Sequence, residues 1–121
     1  MMKRRDLLVW TATGAAFAAI GLRAARVEAH DGTITATHVH PSLGGGETAC
    51  GGSWNNGGMV AAAKRFRCGT RLRLRNPRNG AVITVRVTDH SPNSALDLSR
   101  TAFSHLADVS QGRVQLEYTV L

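Results

Sequence analysis

The segment Cys68–Asp89, CGTRLRLRNPRNGAVITVRVTD, decides how the chain folds. Its first part alternates strictly, with Leu72 and Leu74 set against Arg71, Arg73 and Arg75. That period of two is the pattern of a strand with one dry face and one wet face. NPRNG then supplies Pro77 and the Asn79–Gly80 pair, a strong signal for a hairpin turn. AVITVRVTD comes next, the most β-branched stretch of the chain, and reads as the returning strand.

Working outward, TITATHV (Thr33–Val39) alternates and reads as a strand. PSLGGGETACGGSWNNGG is a long Gly/Asn-rich excursion on the surface, and MVAAA fits either a buried strand or a turn of helix. One segment has helical spacing: Ser99 caps RTAFSHLA, where Ala102, Phe103 and Leu106 recur on one face. GRVQLEYTVL ends the chain with alternating Val114, Leu116, Tyr118 and Val120. Five or six short strands and one short helix make an all-β chain, most simply a small closed barrel.

Residues 1–29 stand apart. A basic start, an Ala/Gly-rich apolar middle and a small residue at Ala29 form a cleavable export signal. Arg4 and Arg5 followed by Leu7 and Leu8 resemble the twin-arginine type. The run from Leu7 to Ile20 is too short to span a bilayer, so no stable membrane insertion is expected after cleavage. Cleavage leaves 92 of the 121 residues, one domain over 30–121, in the periplasm or outside the cell. The signal takes five basic and two acidic residues with it, which reduces the net charge from +7 to +4. The basic residues alternate along strands and form no block, so nucleic acid is not the expected partner, and a cell-wall polyanion suits them better. Ordinary solvated strand faces explain them equally well. The two cysteines, Cys50 and Cys68, pair by default in an oxidising compartment.

With these elements in order, TACG, CGTRLRLRN, NG, VRVTDHSP, LDLSRTAFSHLA and the terminal strand resemble a double-psi β-barrel of the rare lipoprotein A type. They are also similar to barwin and to expansin N-terminal domains. The resemblance covers nearly all of residues 30–121. It implies a six-stranded barrel, monomeric and without a cofactor, whose groove accepts cell-wall glycan, peptidoglycan above all. In rare lipoprotein A enzymes the reaction is lytic transglycosylation, and the aspartate of their VxDRGP motif falls at Asp89. Their glutamate falls at Gly52 and their histidine at Ala63, so two of three active-site positions are empty. Binding or remodelling with little cleavage is therefore the leading expectation. A degenerate transglycosylase using Asp89 as acid, helped by His38 or His90, is the alternative. Asp97 matches the aspartate of the expansin HFDLS motif. The related glucanases need a second carboxylate on the first strand, because inversion takes two carboxyls, and TATHVH has none.

Asp97, just before Ser99, reads as a structural group accepting N–H bonds at the helix start. Asp89, at a strand end before Ser91–Pro92, is the better functional candidate, with a turn aspartate as its other reading. His38 stands at the position of a groove tyrosine of the relatives. Trp54 is the aromatic placed to stack on a sugar, or else it caps the barrel. Lys64, Arg86, His90 and, beside its structural role, Asp97 complete the expected glycan contacts. His30, His38, His40 and His90 also allow a third reading, a secreted copper- or zinc-binding module.

Overall fold

In the computed structural model the described residues are 29–39 and 46–121. Residues 1–28, which hold all but the last residue of the expected export signal, and His40 lie outside them.

The domain is a closed barrel of six strands: β1 (Gly32–His38), β2 (Val60–Ala62), β3 (Arg71–Arg75), β4 (Val82–Asp89), β5 (Leu96–Leu98) and β6 (Arg113–Val120). Around the barrel the order is β1-β5-β2-β4-β3-β6, closing back onto β1. The β3–β4 hairpin forms as its sequence requires, with Arg75 opposite Val82 and Leu72 opposite Val85. Gly80 takes φ +77°, a conformation that side chains rarely adopt.

The ambiguous MVAAA segment resolves as strand β2. Its ladder runs parallel to β4 on one edge and antiparallel to β5 on the other. The three-residue strand β5 is too short to show a period, and it exists because β1 and β2 pair with its two edges. Leu72, Leu74, Val85, Val87, Leu96, Leu98 and Leu116 fill the interior. Phe103 of α1 (Arg100–Leu106), wholly buried with Ala102 and Leu106, joins the same core.

Both ends of α1 are tied to other elements. Ser99 Oγ accepts from Ala102 N at 3.0 Å and donates to the Gly58 carbonyl. At the other end the Leu106 carbonyl accepts from Asn76 Nδ2 at 2.9 Å and Asn79 Nδ2 at 3.0 Å. The hairpin turn thus supplies donors for the helix end that the helix itself cannot provide. A 3-10 turn, Val109–Gln111, leads into β6. There the Ser110 backbone N–H, and then its side chain, hold the Asp108 carboxyl below its usual 3.8. Because that value is depressed on folding, the contribution is present above pH 3.8 and is lost as the pH falls further.

The Cys50–Cys68 disulfide is formed, with Cα atoms 5.7 Å apart across 18 residues of sequence. It anchors the Gly/Asn loop to the turn before β3. Opening it by Cys50→Ser/Cys68→Ser lowers stability by about 3 kcal/mol in denaturant titration, from the entropy returned to the unfolded chain. Ser99→Ala costs about 1–2 kcal/mol by the same measurement, since it removes a helix cap.

Candidate functional site

Strand register builds the site. Ala61 faces the core together with its partners Leu98 and Val87, so the next residue of β2 faces away from it. Ala62 pairs with Asp97 of β5 on one edge and with Asp89 of β4 on the other. Alternation along β4 alone would not bring Asp89 to this side, since Val85 and Val87 are both interior. A bulge between Ala61 and Ala62 shifts the register so that Thr88 is passed over. One extra residue re-aims the side chains beyond it. The two aspartates therefore share a row, two interstrand spacings apart, roughly 9.5 Å between Cα positions.

Their surroundings differ. Asp97 Oδ1 accepts from Thr37 Oγ1, its partner across β1, and Oδ2 accepts from Ser91 Oγ at 3.2 Å. Both oxygens are therefore engaged by hydroxyls. Asp89 Oδ1 accepts two backbone N–H groups, from Ala49 and His90, each at 2.8 Å. Asp89 Oδ2 has no hydrogen-bond partner among the described residues. An N–H can only donate, so Oδ1 is held as an acceptor and a proton carried by Asp89 belongs on Oδ2.

Ala49 lies in the same turn as Cys50, so the disulfide also fixes the donor that orients Asp89. A cleft of about 350 Å³ opens beside this point, bordered by the disulfide, Gly51, Arg86 and Thr88. Arg86 borders this cleft, which Asp89 itself does not line. Lys64 is exposed just beyond β2.

Three expectations need correction. Asp97 does not accept N–H bonds at the helix start. Ser99 caps the helix, while Asp97, between the inward Leu96 and Leu98, turns outward to Thr37 and Ser91. His38 follows Ile34 and Ala36 on the inner side of β1, and its ring packs edge-on against Phe103 at 4.8 Å. Its Nε2 donates to the Val109 carbonyl at 3.0 Å, while buried Nδ1 has no partner among the described residues. That placement directs it toward the helix and away from the Asp89 row. Trp54 is 6% exposed, with its indole N–H toward Asn56 Oδ1 at 3.4 Å, so the ring offers no open face for a sugar. Burying an indole removes a large apolar surface from water, and that outweighs leaving it on the loop.

The metal reading finds one cluster among the described residues, Cys50, Cys68 and His90, with donor atoms within 4.8 Å of one another. Both sulfurs are consumed by the disulfide, which leaves His90 as the remaining donor. His90 is exposed beside Asp89, and its Nδ1 lies 3.4 Å from the Ala63 carbonyl. Thr37, Ser91 and the Ala49 N–H carry no signal in the sequence. Thr37 alternates outward on β1, but only the register shows which carboxylate it meets.

A closed six-stranded double-psi β-barrel with two outward aspartates in one row defines the class. The lytic transglycolase model of that fold matches residues 35–118, and the chain belongs to this double-psi β-barrel family. It is 39% identical over 87 residues to the uncharacterized protein ssl3177 of Synechocystis, which covers 72% of this chain and 96% of that one. It is 31% identical over 84 residues to the endolytic peptidoglycan transglycosylase RlpA of Campylobacter jejuni, covering 67% of this chain and 30% of the relative. Among solved structures it is similar to a mutant Clavibacter michiganensis expansin in complex with cellohexaose, with TM-score 0.59 and 27% identity. That match covers 74% of this chain and 50% of the expansin.

Gly52 is the position that the resemblance matches to the glutamate. Gly52 has φ +85°, with open space where a Cβ would stand. Gly52→Glu therefore fits sterically but strains the backbone. It lowers stability by about 1–2 kcal/mol in thermal melts, the cost of a left-handed non-glycine residue.

Proposed function

We propose that this chain is an exported, monomeric domain that binds and remodels cell-wall glycan, peptidoglycan foremost, through the row of Asp89 and Asp97. The observation that carries this reading is the asymmetry of the two carboxylates. Asp97 is held at both oxygens, while Asp89 is oriented by two N–H groups and keeps Oδ2 for a ligand. Support comes from the family, from a relative named as a peptidoglycan transglycosylase and from an expansin that holds cellohexaose. The disulfide fits an oxidising compartment outside the cytoplasm. His90, next to Asp89, and the exposed Arg86 and Lys64 are further contacts in this reading.

Weak lytic transglycosylation is the second reading, favoured by the open Oδ2. In that step the Asp89 proton passes to the glycosidic oxygen as its bond to the sugar breaks. The sugar's own hydroxyl closes the anhydro ring and returns its proton to the carboxylate. Gly52 and Ala63, where relatives carry glutamate and histidine, remove two groups that would assist. Binding is thus the primary role and cleavage the minor one.

The test uses the exported protein with peptide-stripped peptidoglycan, measuring co-sedimentation and, by mass spectrometry, anhydro-sugar ends. Binding that survives Asp89→Asn, with few or no anhydro ends from either protein, is the expected result. Abundant anhydro ends that vanish in Asp89→Asn make the chain a working transglycosylase. Neither binding nor product overturns both readings.

A further inference from the structure

The row that begins at Asp89 does not stop at Thr37. Thr37 pairs with Asp97 on one edge and with Arg113 of β6 on the other, so Arg113 stands in the row one strand beyond Thr37 and two beyond Asp97. Arg113 borders two clefts. In one, of about 240 Å³, it joins Arg65, Thr33, Thr35 and Ser94. In the other, of about 430 Å³, it joins Arg78, Gln111 and Gln115. Thr35 and Arg113 border both, so the two clefts adjoin at these residues of β1 and β6.

The charge here is unbalanced. Residues 30–121 contain six acidic side chains, and none of them lines either cleft. Glu117 pairs with Arg75 at 3.0 Å, Asp31 accepts from Val120 N, and Asp108 accepts from Ser110 N. Asp89 and Asp97 have the partners given above, and Glu47 belongs to the loop that Cys50 ties down. Arg65 is held over the rings of Phe66 and Tyr118, at 5.4 and 5.3 Å from their centroids. Stacking fixes a guanidinium in place without using its N–H donors. Two arginines facing one polar cleft, with hydroxyls between them, suit an oxyanion, because the planar fork of each guanidinium matches a carboxylate.

We infer that the Arg65–Arg113 cleft is a subsite for a carboxylate carried on the bound glycan. The ligand is then an acidic polysaccharide, not a neutral one. This rests on the glycan-binding reading, and it selects among glycans by charge. Chain contacting the Asp89–Asp97 row continues over Thr37, and its acidic substituent falls between the two arginines.

The experiment compares peptide-stripped peptidoglycan strands with the same strands after their carboxylates are reduced to alcohols. Affinities are measured at several salt concentrations. The wild-type protein prefers the carboxylated strands by about tenfold, on the scale of one charge-assisted hydrogen bond, and salt erodes the preference. Arg65→Gln/Arg113→Gln abolishes the preference. The charge-matched control Arg71→Gln/Arg73→Gln keeps it, since both residues are exposed on β3 and border neither cleft. If losing the Arg65 stacking lowers the melting temperature of the double variant, Arg113→Gln alone carries the test. Equal affinity for the two strands, or equal loss in the control, overturns the subsite while leaving glycan binding standing. Failure to bind either strand overturns the glycan reading and the subsite with it.

Discussion

A three-residue strand, β2, holds the barrel closed. It has a parallel neighbour on one edge and an antiparallel neighbour on the other, and Ala62 spends its backbone on both. Short strands have little intrinsic stability, so β2 and β5 exist only within the closed ladder. The same constraint makes the site. Aspartates eight positions apart in sequence, in two different strands, become neighbours across Ala62 because both strands must pair with it. The single-residue bulge turns Asp89 to the outside, and a regular ladder would have sent it into the core.

The carboxylate row is then tuned from outside the sheet. The Cys50–Cys68 bond places the turn that carries the Ala49 N–H, so a covalent link in the loop orients Asp89 across the sequence. On the other side, Thr37 and Ser91 occupy both oxygens of Asp97. Two identical side chains thus take different roles from their partners, one held and one available. The cationic clefts on β1 and β6 supply charge of the opposite sign at the far end of the same row.

Much of the fold is legible in the sequence. The alternation of Leu72 and Leu74, the Asn79–Gly80 turn, the Ser99 cap and the pairing of two lone cysteines each follow from local chemistry. The departures share a cause. Proximity to Ser99 suggests a helix-start role for Asp97, whereas its outward direction is set by Leu96 and Leu98 in a strand too short to recognise. The motif around His38 points it to the groove, yet strand alternation puts it on the inner side with Ile34 and Ala36. Trp54 lies in a polar loop, and nothing local shows that the loop folds back to bury it. Register and loop return are long-range facts, and a local pattern does not carry them.

The central claim is that ligand lies along the Ala62 row. The most direct measurement follows backbone amide resonances as peptide-stripped peptidoglycan fragments are added to the protein. The account predicts the largest shifts at Asp89, His90, Asp97, Thr37 and Arg113, drawn from segments far apart in sequence. Shifts confined to β3, around Arg71 and Arg73, with the row unmoved, would contradict it.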